Sequence, residues 1–139
     1  MPVKSQRYFH EFVRLIRQAR YNVLKAATRE IIDLYWKIGE NVFEKAKNLK
    51  WELSAVQQLS AYIQEKIPDL KGFSSRNIWR MKQFYETYKD FPRLHPLLQE
   101  ISWSCHLHIL SKTKSMEEKE FYLRLSAKKN FLKESWKGR

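Results

Sequence analysis

Apolar residues recur along the first third of the chain at Phe9, Phe12, Ile16, Ala19, Val23, Ala27, Ile31, Leu34, Ile38 and Val42, always three or four positions apart. That spacing draws one stripe along an α-helix. From about Gln6 to Lys47 there is no proline, and no glycine before Gly39. The segment therefore predicts one helix of about 40 residues, about 60 Å long at 1.5 Å per residue. A domain of this size is narrower than that. Either the helix breaks near Asn22–Thr28, or it stays long, bent or projecting, and pairs with another chain. The absence of a breaker inside the stripe favours the long helix.

Lys45–Glu52 reads as a polar connection. A second helix is expected from Leu53 or Ser54 to Ile67, ended by Pro68, which lacks a backbone donor. Pro68–Phe73 then forms a turn, and a third helix starts behind Ser74 or Ser75 as N-cap and runs to about Tyr88. Phe91-Pro92 and His95-Pro96 mark a loop. A fourth helix fits Ser102–Ser111, and Ser115 with Glu118 makes a capping box that opens a fifth, Met116 to about Lys129. Residues 130–139 read as a frayed tail. The expected fold is all-α: one domain over residues 1–129, a bundle of about five helices with a long N-terminal helix and a helix-turn-helix-like core over 53–88.

Composition agrees with helix, since 3 Gly and 4 Pro in 139 residues are too few for a protein made of hairpins. The single cysteine, Cys105, excludes an internal disulfide and a multi-cysteine zinc site. No apolar run approaches the roughly 20 residues that span a bilayer, and the N-terminus lacks the pattern of a secretory signal. A cytoplasmic protein without membrane contact is the expectation. The net charge of +12 is uneven: residues 1–70 hold 12 basic and 8 acidic side chains, residues 71–139 hold 15 and 7. Such a field attracts polyanions without conferring specificity.

The third helix is where that charge acquires a pattern. Ile78, Met81, Tyr85 and Tyr88 share one side, and Arg76, Arg80, Gln83 and Thr87 the other. Ser75, Arg76, Asn77 and Arg80 occupy its first turns, where a recognition helix carries its base contacts. Arginine can bond guanine or phosphate bidentately, and Asn or Gln can bond adenine. Ser75, Arg76, Asn77, Arg80 and Gln83 are thus candidate nucleic-acid contacts, with Lys112, Lys114, Lys128 and Lys129 as candidate phosphate contacts. The competing reading is an ordinary solvated helix face, and the turn is longer than in a compact helix-turn-helix.

The run Gly72-Phe73-Ser74-Ser75-Arg76-Asn77-Ile78-Trp79-Arg80-Met81, with Phe84-Tyr85 after it, resembles the N-terminal domain of the YhcG family. Leu34-Tyr35-Trp36 with Ile38-Gly39, Ser102-Trp103-Ser104 with His106, and Glu117-Glu118 leading to Phe121-Tyr122 extend the resemblance to about Lys129. It implies a helical, helix-turn-helix-like, DNA-associated domain of the kind those proteins carry ahead of a PD-(D/E)XK nuclease domain. The stretch after Lys129 does not match that continuation. Cleavage is therefore not implied, and a nuclease domain enters only as a partner.

Other residues imitate catalytic chemistry. Pro68-Asp69 and Glu117-Glu118-Lys119 repeat the letters of a PD-ExK site, but that site needs carboxylates converging on a metal from adjacent strands, and these sit at helix ends. His106 and His108 are two apart on a helix and face different ways, so they do not share an ion. A buried Cys105 and one partly buried histidine are expected there. Trp36 and Trp103 read as core, Trp51 and Trp136 as exposed. No cofactor or metal is expected. The expected function is a non-catalytic DNA-binding module for double-stranded DNA, in a homo-oligomer. The alternative is an oligomerisation or scaffold domain that binds a protein partner through the long N-terminal helix.

Overall fold

The computed structural model describes the backbone of residues 3–137 and the side chains of residues 8–129. The fold is all-α, with six helices among the described residues. They are α1 (Val3–Asn48), α2 (Leu53–Lys66), α3 (Ser75–Tyr88), α4 (His95–Leu98), α5 (Trp103–Lys112) and α6 (Met116–Lys137). Helix α4 is the one beyond the expected five. It forms with a 3-10 turn at Pro92–Leu94 inside the expected loop, because Pro92 and Pro96 each stand in a first helical turn, where a missing N–H costs nothing. Helix α1 passes through Asn22–Thr28 unbroken. Helix α6 continues to Lys137 instead of fraying after Lys129, the first strong stop signal being Gly138. The last two residues of the expected tail lie outside the described residues.

Caps set the boundaries as the local sequence dictates. The Ser74 hydroxyl accepts the Asn77 backbone N–H at 3.1 Å, so Ser74 is the N-cap of α3. Ser102 takes the Cys105 N–H at 3.4 Å in the same way. At α6, Ser115 accepts the Glu118 N–H at 3.1 Å, while the Glu118 carboxylate reaches back to the Lys114 N–H at 2.8 Å.

The chain divides into two compact units, one of Ile31–Pro96 and one of Met1–Glu30 with Leu97–Arg139. In the first, Val42, Val56 and Ile78 are buried together, flanked by Ile38, Leu59, Ile63, Phe73 and Trp79. Met81, Phe84, Tyr88 and Leu94 are buried as well. Trp36 meets Phe84 and Tyr85 edge-on, with centroids 5.6 and 4.9 Å away, and lies 4.6 Å from the His95 ring. In the second unit, α5 packs on α6, and Leu98, Ile101, His106, Ile109, Leu110 and Leu123 are buried.

The buried face of α1 is rotated by part of a turn from the expected stripe, and the half-buried Ile38 and the buried Val42 belong to both. Ile32, Gly39 and Val42 are buried, whereas Ile31 and Leu34 remain exposed. Steps of three and four leave the centre of the buried arc open, and the partner elements of residues 31–96 shift it towards Ile32 and Gly39 while keeping Val42 inside it.

Candidate nucleic-acid interface

The α2–turn–α3 segment is held by polar contacts to its own backbone. Gly72 has φ 92°, a left-handed conformation that glycine adopts without a Cβ penalty. Its carbonyl accepts the Asn77 side-chain amide at 2.6 Å, and the next carbonyl, of Phe73, accepts the Ser60 hydroxyl of α2 at 2.6 Å. The Phe73 ring stands edge-on to Tyr35, 5.9 Å between centroids. Burial raises the Tyr35 hydroxyl above its ordinary pKa. Gly72→Ala should cost about 1–2 kcal/mol, from the positive φ. The Tyr35 hydroxyl 2.9 Å from an added Cβ belongs to a side chain that can move. Urea midpoints of the two proteins measure the loss, and equal midpoints would contradict it.

With the turn fixed, α3 presents two distinct faces. Ile78, Met81, Phe84 and Tyr88 are buried on one. Phe84 takes the place expected for Tyr85, which is half-buried. Its hydroxyl is raised above the ordinary tyrosine range, first by burial and then by the Glu40, Glu44 and Asp90 carboxylates. On the opposite face Arg76 and Gln83 are exposed and Arg80 is half-buried. Among the described residues neither arginine forms an ion pair. Ser75 is half-buried in the first turn. The Asn77 amide nitrogen is committed to Gly72, so this side chain builds the turn first.

Two features of this surface lay outside the sequence reading. The cation over the Trp79 ring is Lys82, 4.8 Å from the centroid and also 3.4 Å from Glu86, so Lys82 is consumed inside the fold. Lys71 is exposed in the turn itself, and Lys66, at the end of α2, lies 5.5 Å over the exposed Tyr62 ring. Their clustering before α3 was visible as charge, but only the folded turn gives it a place.

The four candidate lysines belong to the other compact unit and are described with it. Lys112 and Lys114 are exposed at the α5–α6 junction, and Lys128 and Lys129 are exposed on α6. The residues that imitated catalytic chemistry stay apart from any site. Asp69 is exposed in the turn after α2, and Glu117 and Glu118 are exposed in the first turn of α6, where they favour the helix dipole. Cys105 is half-buried, His106 is the fully buried histidine, and His108 is exposed. This corrects the expectation of a buried thiol beside a partly buried histidine: the Nε2–H of His106 donates to the Leu98 carbonyl at 2.8 Å, which lets the ring turn inward. Trp51 is half-buried, and the Trp136 side chain lies outside the described residues. Among the described residues no three His, Cys, Asp or Glu side chains cluster as metal ligands, and no helix is long and apolar enough to cross a membrane.

A family model described as the DUF1016 N-terminal domain matches residues 11–138. The chain belongs to that family. The resemblance to the YhcG N-terminal domain read from Gly72–Met81 and its companion motifs is thereby borne out. No curated protein and no solved structure matches the chain. In this DUF1016 N-terminal domain the resembling run Gly72–Met81 coincides with the positive-φ glycine, the α3 N-cap and the two arginines that make no ion pair.

Proposed function

We propose that this DUF1016 N-terminal domain is a non-catalytic DNA-binding module that engages double-stranded DNA through the outward face of α3. The observation that supports the reading most is the pairing of opposites on that helix: one side buried in the core, the other offering Arg76, Arg80 and Gln83 without internal ion pairs. A helix anchored in this way positions guanidinium groups at little entropic cost, as a recognition helix does. Lys66 and Lys71 beside the turn add positive charge, and Ser75 adds a hydroxyl in the first turn. The exposed Lys112, Lys114, Lys128 and Lys129 serve the phosphate backbone in the same reading, and a nuclease domain acts as a partner of the module.

The test is a salt titration of binding to duplex DNA. The logarithm of affinity should fall linearly with the logarithm of salt concentration, because phosphate contacts release counterions. Arg76→Ala/Arg80→Ala should weaken binding roughly ten- to a hundredfold and lower the salt slope by about 2. Helicity and melting temperature should stay near those of the parent, since neither side chain is buried in the core. A double variant that binds duplex DNA as tightly as the parent, with the same salt slope, would exclude α3 as the contact.

A further inference from the structure

The N-terminal part of α1 carries an apolar seam that the chain itself leaves in solvent. Every described side chain from Tyr8 to Arg20 is exposed, whichever way it points around the helix. Within it, Phe9, Ile16 and Val23 repeat every seven residues, and so do Phe12, Ala19 and Ala26, offset by three. These are the a and d positions of a coiled-coil seam three heptads long, which ends where Glu30 takes the next a position. Phe12 is 62% exposed, Ile16 59% and Val23 67%. Away from the seam the polar side is tied to itself: Arg14 pairs with Glu11 at 2.6 Å, and the Gln18 amide bonds Asn22 at 3.0 Å.

Residue size along the seam names the occupant. Its first half is bulky (Phe9, Phe12, Ile16) and its second half small (Ala19, Val23, Ala26). We infer that this seam pairs antiparallel with the same seam of a second copy of the chain, about a two-fold axis near residues 17–18. In that register Phe9 meets Ala26, Phe12 meets Val23 and Ile16 meets Ala19 of the second copy, so each large side chain meets a smaller one and the helix separation stays even. The contacts are also a-to-d, as antiparallel pairing requires. A parallel pair would stack Phe9 on Phe9 and Phe12 on Phe12 at one end and leave alanines facing across a gap at the other, which close packing disfavours.

The surface is large enough. With 150–250 Å² per aromatic side chain and less per aliphatic one, the exposed apolar residues from Tyr8 to Leu24 offer roughly 600 Å² per copy, and two copies reach the roughly 1,200 Å² at which specific interfaces begin. A two-fold contact of this kind is isologous and closed, so it ends at the dimer.

Sedimentation equilibrium on the full chain should give a dimer. Ile16→Glu and Val23→Glu should each raise the dissociation constant by at least about tenfold, because a charge would be carried into the seam. Gln18→Glu, on the polar side, should not. Orientation is read by oxidation in a Cys105→Ser background, which removes the one natural thiol. The pair Phe9→Cys/Ala26→Cys should form disulfide-linked dimers, and Phe9→Cys alone should not. A parent that stays monomeric at high concentration overturns the pairing, and efficient self-linking of Phe9→Cys alone overturns the antiparallel register. Arg76→Ala/Arg80→Ala should remain dimeric, so this result stands or falls separately from DNA binding.

Discussion

Gly39→Ala is expected to lower stability by about 3 kcal/mol, at the upper end of what overpacking costs. The sign is the informative part. Gly39 lies inside α1, where alanine is the better helix former by about 1 kcal/mol, so a purely local argument makes the substitution stabilising. The tertiary structure reverses it. A Cβ built there would come 2.7 Å from the Met81 carbonyl carbon of α3, closer still to its oxygen, and 3.2 Å from the Tyr85 Cβ. Two of those three atoms are backbone, and no rotamer change moves them aside. The helices would have to separate, opening space around Met81 and Tyr85 in the Ile31–Pro96 unit. Thermal and urea denaturation of the two proteins measure the difference. Asn41→Ala, on the exposed side of the same helix, supplies the comparison and should change stability by no more than about 0.5 kcal/mol. An alanine variant as stable as the parent would mean that α1 and α3 do not approach this closely.

The second large effect is one of pH. His106 is fully buried, and that burial pulls its imidazole from 6.5 down to about 4, against the opposing influence of its hydrogen bond to the Leu98 carbonyl. Above pH 6.5 the ring is neutral in both folded and unfolded chains and contributes no pH dependence. Between 6.5 and about 4 the unfolded chain takes up a proton that the folded chain refuses, so stability falls as the pH falls. Across that window the loss amounts to about 3 kcal/mol, at 1.36 kcal/mol per unit. His106→Gln keeps an amide donor where Nε2 stands and removes the titration. Urea unfolding at pH 7, 6, 5 and 4 should show the two proteins diverging in slope, the parent losing stability faster. Parallel curves would mean that the ring is accessible to protons in the folded state. Below pH 5 the carboxylates also titrate, and the comparison between variants removes their common share.

Much of the local structure was legible before any coordinates. Ser115 with Glu118 is read as a capping box, and Ser74 is one of the two caps read for α3, because capping is a contact within one turn of chain. Helix α3 is amphipathic in the sequence and in the fold, since its burial follows a period of 3.6 residues. The helix hidden in the His95–Pro96 segment was missed because a proline marks either a loop or a first helical turn, and only the burial of Leu94 and Leu98 decides between them. The candidate site was legible in part. Arg76, Arg80 and Gln83 stand where the helical period puts them. Asn77 is drawn into the turn by Gly72, a contact that no spacing rule contains, whereas Lys82 meets Trp79 and Glu86 at the three- and four-residue steps of its own helix.

The sequence by itself determined the all-α class, the helix boundaries to within a turn or so for most elements, and the positive charge. These depend on backbone dihedrals, caps and side-chain period, which act over a few residues. Tertiary structure alone decided which part of the apolar stripe on α1 is buried, why Gly39 cannot carry a side chain, and which histidine is enclosed. Each of those depends on an atom brought from a distant part of the chain, and partners of that kind leave no periodic trace in the residues they constrain.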